Sequence, residues 1–379
     1  MPGDIMITIK EVKTRKEQRA FVRFPLDLYK GNPYYVPMLY SGEFDIFKPE
    51  YPFNKVCDTI CLLAYKNGKV AGRIQGIIQN DANKKWGQKR VRFTRFDSVD
   101  DTEVSSALFR SLESWAEGYG MDEIVGPLGF SDFEREGLLI EGFEEFQTYE
   151  EQYNYSYYQK LIEDYGFDKD VDWLEYQLRA AEENEEKFFK LSTKLLDRFG
   201  LTIRQAKTTR ELIDKYIYDL LGIIEEAYSP LYGTVPLNRE TIENYINDFK
   251  LIVRPKDVIT LYDKNDNIVA AGMMFPSLSE AVRRSNGHIT PAFIYRFLRD
   301  KRHPKVIDLG LIGVRPDYES KGIIAIIIGL LIDRLHNDGL EYFETNLILE
   351  DNHKMHNLLK HFDKKYTKKR RCFKKSIKL

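Results

Sequence analysis

The sequence has few cysteines, no long apolar run and no excess of charge of either sign. Its three cysteines, Cys57, Cys61 and Cys372, follow no secretory signal, so we expect a reduced, cytoplasmic setting. The longest apolar run, residues 322–332, is about half of the ~20 residues that cross a bilayer. The formal net charge of −2 leaves no basic excess for a phosphate backbone. These absences argue against a disulfide scaffold, a membrane-spanning protein and a nucleic-acid binder.

Metal and serine-hydrolase chemistry also have little support. All six histidines lie in the second half, and the spacing of His353 and His356 could hold a metal. No cysteine or nearby carboxylate completes that set, and a solvated helix face explains the spacing better. Cys57 and Cys61 lack a second pair and fit a packed strand, and there is no G-x-S-x-G motif. We therefore expect no metal.

The length and the order of elements predict two domains. A chain of 379 residues exceeds the ~250 to 300 residues at which a single core stops growing. Strand and helix patterns run through the first half and restart near residue 200, and Lys66-Asn67-Gly68 predicts a hairpin. We predict an N-terminal domain over 1–181, a connector helix over 182–199 and a C-terminal domain over 200–379. Each domain is expected to be α+β, with a mixed, mostly antiparallel sheet flanked by helices.

The stretch from Lys305 to Asn352 has the order of a phosphate-binding site. Residues 306–314 predict a strand, 315–322 a turn, 323–336 an apolar helix and 341–349 a second strand. A glycine-bearing turn at the start of a helix presents backbone N–H groups that have no partner within the helix. Such donors can bind a pyrophosphate.

This stretch resembles the acyl-CoA-binding motif of the GNAT acyltransferases, because V-x-P at 314–316 is followed by glycine at 322. The resemblance implies acyl-CoA as the donor substrate. It also implies cofactor contacts from the first strand, the turn and the end of the second strand, namely Ile312, Val314, Ser320, Lys321, Gly322, Ile323 and Asn352. The chain departs from the family pattern at Glu319, at Ile324, and at Leu359, where the family often has a tyrosine acid.

Two carboxylates on the predicted strands are candidate bases, with Glu344 preferred to Asp308. On the predicted strand 341–349, Glu344 shares a face with Asn346, Ile348 and Glu350, and Asp308 shares a face of its own strand with Ile312 and Val314. A carboxylate beside the donor substrate can deprotonate an ammonium, so that the free amine attacks the thioester. The alternative is that either carboxylate simply pairs with a nearby lysine or arginine.

The first half has no comparable turn. The corresponding segment, residues 98–106, contains no glycine and carries Asp100, Asp101 and Glu103. Acidic residues at a helix start cap the helix well and bind phosphate poorly. We predict that the N-terminal domain has no cofactor site of its own.

Nearly the whole chain resembles one tandem-GNAT family that includes bacterial ceramide synthases. The resemblance is carried by motifs in both halves: residues 32–38 (NPYYVPM), 52–53 (PF), 70–74 (VAGRI), 126–127 (GP), 136–143 (EGLLIEGF), 153–154 (YN), 157–158 (YY), 233–236 (GTVP) and 349–352 (LEDN). It implies an N-acyltransferase that uses a fatty-acyl thioester and a small-molecule or lipid amine, such as a sphingoid long-chain base. The competing function is a catalytically degenerate binding or scaffold protein, which Glu319, Ile324 and Leu359 favour.

Two basic segments suggest contact with anions or with a membrane surface. Residues 364–378 contain nine lysines or arginines and no acid, which fits either a guarded edge hairpin or an anion-binding tail. Residues 290–300 combine arginines with apolar side chains, as in an amphipathic lid or a membrane-surface helix. Peripheral contact with the inner membrane surface is therefore a second expectation beside the cytoplasmic one.

Overall fold

Strand pairing in the two halves of the chain follows one scheme. The computed structural model describes residues 6–181 and 185–377. The strands, in chain order, are β1 (Ile7–Glu11), β2 (Cys57–Lys66), β3 (Lys69–Gln79), β4 (Arg90–Ser98), β5 (Glu123–Gly126), β6 (Leu138–Glu141), β7 (Asp168–Arg179), β8 (Thr202–Arg204), β9 (Val258–Tyr262), β10 (Ile268–Pro276), β11 (Val306–Val314), β12 (Tyr342–Glu344), β13 (Ile348–Leu349) and β14 (Asp363–Ser376).

The helices lie between these strands. In chain order they are α1 (Arg15–Leu28), α2 (Asn80–Trp86), α3 (Thr102–Glu117), α4 (Tyr157–Asp164), α5 (Glu185–Phe199), α6 (Thr209–Lys215), α7 (Ile217–Tyr228), α8 (Arg239–Phe249), α9 (Ser279–Arg284), α10 (Pro291–Arg302), α11 (Pro316–Glu319), α12 (Ile324–Asn337) and α13 (His353–Leu358).

These elements are divided between two compact units. The first unit contains Met1–Trp173, Ser279–Ile294 and Lys368–Leu379, and the second contains Leu174–Leu278 and Tyr295–Thr367. These limits differ from the predicted domains, because two segments of the second half pack with the first unit.

In the first unit, β1, β2, β3 and β4 form an antiparallel run, and β5 then pairs with β4 in parallel. The end of β14 is antiparallel to β5. The predicted hairpin joins β2 to β3, and its central residues Asn67 and Gly68 both have positive φ, as a two-residue hairpin turn requires.

In the second unit, β8, β9, β10 and β11 form an antiparallel run, and β12 pairs with β11 in parallel. The order and the pairing directions match those of β1 to β5. A mixed, mostly antiparallel sheet in each unit agrees with the predicted α+β class.

Each unit has its own apolar core. In the first, α3 contributes Leu108, Phe109 and Leu112 to one cluster with Phe93 of the sheet. In the second, α12 places Ile326 against Phe343, and Phe188 of α5 joins the same cluster. The Ser192 hydroxyl also donates to the Ala325 carbonyl. The predicted connector, residues 182–199, therefore contributes a core helix to the second unit, while residues 182–184 lie outside the described residues.

Candidate active site

The predicted cofactor turn lies at the end of β11, between α11 and α12. Gly322 has a φ of +71°, a left-handed conformation that side chains with a Cβ adopt only with strain. A Cβ built on Gly322 would meet no atom within 4 Å, so the space beside it is open. Ser320 and Gly322 are exposed, whereas the side chain of Ile323 is fully buried. Ile323 can thus contribute only its backbone to a ligand.

Several backbone donors of this turn are already used within the protein. Lys321 N–H donates to the Tyr318 carbonyl at 3.1 Å, and Ala325 N–H to the Gly322 carbonyl at 3.1 Å. Within residues 6–181 and 185–377, no hydrogen bond of the turn uses the N–H groups of Ile323 or Ile324. These two groups stand at the start of α12, where the helix dipole favours an anion.

Side-chain charges around the turn are arranged more favourably than the sequence predicts. The Glu319 carboxylate pairs with the Lys354 ammonium at 2.6 Å, which offsets its repulsion of a phosphate. The Lys321 ammonium lies 3.5 Å from the centre of the Tyr318 ring. Ile324 packs against the core of the second unit, so its bulk is directed inward.

The end of the second strand approaches the same turn through α13. Asn352 caps this helix, because its side-chain oxygen accepts from Met355 N–H at 3.1 Å. Lys354, which pairs with Glu319, belongs to the first turn of that helix. The structure therefore brings the predicted residues Asn352 and Gly322 to neighbouring elements, with capping as the visible role of Asn352.

The two candidate bases lie side by side. Parallel pairing of β11 and β12 places Asp308 opposite Glu344, and neighbouring strands are about 4.8 Å apart. Both side chains are buried, with exposed fractions of 7% and 4%. In the same row, β10 contributes Phe275 and β7 contributes Gln177. Two carboxylates on one face of a sheet can accept and pass on a proton.

The sheet opens immediately after this pair. β11 continues to Val314, but its pairing with β12 ends at Asp308 and Glu344. Beyond Glu344 the chain leaves β12, and Thr345 N–H donates to the Tyr176 carbonyl on β7. The N–H of Ile312 donates to the Tyr228 hydroxyl at 3.3 Å, so a ligand at Ile312 would compete with that bond.

The predicted grouping of Asp308 with Ile312 and Val314 is wrong. Met274 pairs with Leu309 but Met273 pairs with Leu311, which leaves Gly310 as an extra residue in β11. A one-residue bulge reverses the faces of the residues beyond it.

The grouping of Glu344 with Ile348 is also wrong. The predicted strand 341–349 is interrupted, since β12 ends at Glu344 and β13 begins at Ile348. Ile348 then packs in the apolar core cluster that contains Phe343, the neighbour of Glu344 whose side chain lies on the opposite face of β12. Asp308 and Glu344 still lie on one face of the sheet, because they are paired directly across β11 and β12.

In the first unit the corresponding turn is filled by its own side chains. Asp101 caps α3, as predicted, by accepting from Glu103 N–H at 3.0 Å. At the end of β4, Ser98 N–H donates to the Tyr158 hydroxyl, and the Tyr157 hydroxyl donates to the Ser98 carbonyl at 2.8 Å.

Sequence reasoning missed a network of charged side chains in the first unit. Glu43 accepts three hydrogen bonds from Arg95, and Arg73 pairs with Asp97 at 2.8 Å. Glu43, Arg73 and Asp97 are buried in the first unit, and Arg95 is partly buried. The charge of Arg95 beside Glu43 lowers the pKa of this carboxyl against the effect of burial. Arg73 and Arg95 interrupt apolar strands, which was a usable signal.

The metal and cysteine predictions meet no contrary observation. Within the described ranges, no three histidines, cysteines or acids form a group that could hold a metal. Cys57 and Cys61 are buried free thiols, and burial raises the pKa of each to about 12.

The basic tail does not form the predicted edge hairpin. β14 is paired with β5 and β6, and its cations are matched by carboxylates of the first unit. Asp172 accepts two hydrogen bonds from Arg371, and lies 2.9 Å from the Lys369 ammonium. Lys374 pairs with Asp170. With Arg370 beside Glu151 and Lys375 beside Glu113, five cations of the tail lie next to carboxylates, which weakens the other alternative, an anion-binding tail.

Helix α10 presents an apolar stripe to solvent, close to the predicted amphipathic segment. Ile294, Tyr295 and Leu298 have exposed fractions of 46%, 69% and 55%. Arg299 and Arg302 are also exposed. On a helical projection Arg299 lies at one edge of the stripe, and Arg302 lies one turn beyond Leu298. No helix in the described part of the chain is long and apolar enough to span a bilayer.

The geometry of both units is that of known acyltransferases. A tandem GNAT protein from the clavulanic acid biosynthesis pathway superposes on this chain with a TM-score of 0.57 at 10% identity. The superposition covers 99% of this chain and 99% of that protein. A GCN5-related glucosamine N-acetyltransferase region of a fungal multi-domain protein also superposes with a TM-score of 0.57 at 10% identity. This superposition covers 99% of this chain and 38% of the other. The fold is therefore two tandem GNAT-like domains.

Sequence comparison gives relatives along the full length, although no family model matches. Protein YghO of Escherichia coli (strain K12) is 25% identical over 381 residues, covering 97% of this chain and 95% of the relative. A bacterial ceramide synthase of Caulobacter vibrioides is 23% identical over 380 residues, covering 98% of each. The predicted resemblance to a tandem GNAT-like family that includes ceramide synthases is confirmed. Fold and relatives together support an N-acyltransferase.

Proposed function

We propose that this protein is an acyl-CoA-dependent N-acyltransferase that transfers a fatty-acyl group to a long-chain amine, such as a sphingoid base. The observation that carries the proposal is the buried pair of Asp308 and Glu344, at the point where β11 and β12 separate. The cofactor turn follows at the end of the same strand. A proton acceptor thus lies where β11 and β12 separate, and a helix start that can bind an anion follows the far end of β11.

The donor substrate is held by the second unit. The pyrophosphate of acyl-CoA accepts hydrogen bonds from the N–H groups of Ile323 and Ile324, and Lys321 supplies a positive charge. Ser320 adds an exposed hydroxyl, and Gly322 leaves room for the close approach of the phosphates. Ile312, Val314 and Asn352 border the path of the rest of the molecule.

The carboxylate pair activates the acceptor. An alkylammonium is not a nucleophile until it loses a proton, and Glu344, supported by Asp308, takes that proton. The amine nitrogen then attacks the thioester carbonyl, the C–N bond forms and the C–S bond breaks. The products are an amide, CoA and one proton released to solvent. Since Leu359 is buried in the core and carries no acid, the thiolate is protonated by water or by the proton taken from the amine.

The acceptor is assigned as a lipid amine on two grounds. One full-length relative is a bacterial ceramide synthase. The apolar stripe of α10, with its two exposed arginines, suits contact with an anionic membrane surface, where such an amine would reside. The first unit is proposed to bind no nucleotide, because Tyr157, Tyr158 and Asp101 already satisfy its turn.

The competing function is an acyl-CoA-binding protein without catalysis, which the absence of an acid at Leu359 favours. One experiment separates the two. Purified protein is titrated with acyl-CoA and then incubated with acyl-CoA and a long-chain amine, and the amide is measured by mass spectrometry. Binding with amide formation supports the enzyme, binding alone supports the competing function, and no binding removes both.

A further inference from the structure

Exposed apolar side chains are concentrated on one helix of the protein. Elsewhere in the described residues a helix exposes at most one large apolar side chain, such as Phe189 on α5 or Tyr218 on α7. Helix α10 differs, because its apolar stripe exposes Ile294, Tyr295 and Leu298 together. Single exposed apolar residues are normal on a protein surface, whereas a group of them marks a contact with a protein or a membrane.

The helix is held in place, so the stripe cannot turn inward. Phe293, which lies on the other side of α10, is buried. Near the C-terminal end, Arg254 donates to the Lys301 carbonyl at 3.0 Å, and the Lys301 ammonium donates to the Leu251 carbonyl at 2.7 Å. Arg254 is itself paired with the buried Asp257. A partner that covers the stripe must therefore come from outside the described chain.

The bond from Lys301 also brings a further apolar side chain to the last turn of α10. Leu251 is 65% exposed, which is more than Ile294 or Leu298. Its neighbour Lys250 is exposed as well. We call this group the α10 surface, and it consists of Lys250, Leu251, Ile294, Tyr295, Leu298 and Arg302.

The uncompensated charges of the α10 surface are positive. Arg302 continues the line of the stripe one turn beyond Leu298, and neither Arg302 nor Lys250 forms an ion pair within the part of the chain that the structure describes. The one acid of α10 is Asp300, and it pairs with Arg299 at 2.7 Å. Two cations of the surface are thus left for a partner.

Apolar side chains beside unpaired cations fit an anionic lipid bilayer. An amphipathic helix at a membrane interface places its apolar side chains at the boundary of head groups and acyl chains, and its cations near the phosphates. Each lysine or arginine near such a surface adds an attraction that extends over about one Debye length. Tyr295, the most exposed residue of the stripe at 69%, has the amphipathic ring that is common at membrane interfaces.

A second copy of the chain fits this surface less well. A symmetric dimer would use the same surface on both sides of its interface. Both copies would bring Arg302 and Lys250 to that interface, and Asp300 is already paired. Charges of one sign on both sides disfavour association. The cations therefore select a negatively charged partner.

We propose that the α10 surface docks this protein on bilayers that contain anionic lipid, with α10 lying in the plane of the interface. Its apolar side chains enter the boundary between head groups and acyl chains, and its two cations bind lipid phosphates. The docking is separate from the proposed reaction, because it can be measured without acyl-CoA and without an amine.

The test is co-sedimentation of the full chain with vesicles, in the absence of acyl-CoA. One set of vesicles is phosphatidylcholine alone, and the other contains equal amounts of phosphatidylcholine and phosphatidylglycerol. The wild type is expected to bind the anionic set at least about tenfold more tightly than the other. Raising the salt from about 0.1 M to about 1 M shortens the Debye length from ~10 Å to ~3 Å and should weaken this binding.

Two variants test the apolar and the charged contributions, each with a matched control. Tyr295→Gln combined with Leu298→Gln keeps good helix formers and should weaken binding to anionic vesicles by at least about tenfold. Arg302→Glu turns one attraction into a repulsion and should weaken binding by roughly 30-fold. Tyr218→Gln, at an exposed tyrosine on α7, and Arg19→Glu, at an exposed arginine on α1, should bind as the wild type does.

A wild type that binds neither set of vesicles, or both sets equally, would overturn the proposal. Unchanged binding in either α10 variant, shown to be folded by urea unfolding, would also overturn it. A dimer that forms without vesicle binding and is lost in the Tyr295→Gln, Leu298→Gln variant would assign the surface to a second copy instead. A protein that docks as expected but forms no amide would keep this inference and remove the proposed catalysis.

Discussion

Gly322 offers a sharp test of the cofactor site, because the chain contains a matched control. Gly322 and Gly339 lie at opposite ends of α12, with φ of +71° and +67°, and a Cβ added to either would meet no atom within 4 Å. Replacing either by valine imposes the same backbone strain without a clash. Only Gly322→Val places bulk beside the proposed pyrophosphate.

The expected magnitudes follow from these facts. A left-handed conformation costs an L-residue roughly 1–2 kcal/mol, so both variants should lose at least that much stability in the second unit. A hydrogen bond to a charged group contributes roughly 1.5–3 kcal/mol, and 1.4 kcal/mol is about tenfold in affinity. Loss of one phosphate contact should thus weaken acyl-CoA binding by about 10-fold to 100-fold in Gly322→Val alone.

The assay is calorimetric titration with a medium-chain acyl-CoA, combined with urea unfolding of each variant. Gly339→Val should bind as the wild type does while showing the lower stability. Wild-type affinity in folded Gly322→Val would refute the placement of the phosphate. An equal loss of affinity in both variants would also refute it, because it would trace the effect to strain in α12.

Three further predictions concern catalysis, stoichiometry and stability. Glu344→Gln should slow single-turnover acylation of a long-chain amine by ~10² to 10⁴ while acyl-CoA binding persists. Glu350→Gln, a control at an exposed acid beyond β13, should acylate the amine at the wild-type rate. A wild-type rate in Glu344→Gln at every pH would exclude Glu344 as the base. Acyl-CoA should bind at one site per chain, and two equivalent sites by titration would contradict the assignment of the first unit. Contacts with Arg371, Lys369 and Lys169 lower the pKa of Asp172, so its stabilisation exists above the unfolded value of 3.8 and is lost as the pH falls below it. Asp172→Asn should therefore destabilise the protein by about 3 kcal/mol at pH 7 and progressively less in acid, whereas Asp164→Asn, at an exposed pair, should have little effect on urea unfolding.

The repeated strand order was predictable because its signals are local. The Asn67-Gly68 turn requires positive φ, and the flanking apolar runs then have to pair as β2 and β3. In the same way, alternation of apolar residues predicted β11, and the apolar run after Gly322 predicted α12. Both elements differ from the predicted limits by a few residues at most.

What could not be predicted depends on contacts between distant residues. The bulge at Gly310 is set by pairing with Met273 and Met274 on β10. A glycine inside a strand is compatible with a bulge, but the glycine alone does not establish one. The bulge decides which side of the sheet carries Asp308. In the first unit, Glu136 stands inside a motif used for the family resemblance. That its Oε1 has no hydrogen-bond partner among the described residues emerges only when the strands are assembled.

The first unit depends on a strand that is synthesised long after the other strands of that unit. β5 ends at Gly126, and its antiparallel partner in β14 is Phe373. At ~5–20 residues per second, a ribosome needs roughly 10 to 50 s to travel from one to the other. During that interval one edge of β5 has no strand beside it, and exposed edges are sites of aggregation. We expect that nascent chains of this protein need a chaperone more than their two-unit architecture suggests, and that residues 1–181 expressed alone would be poorly soluble.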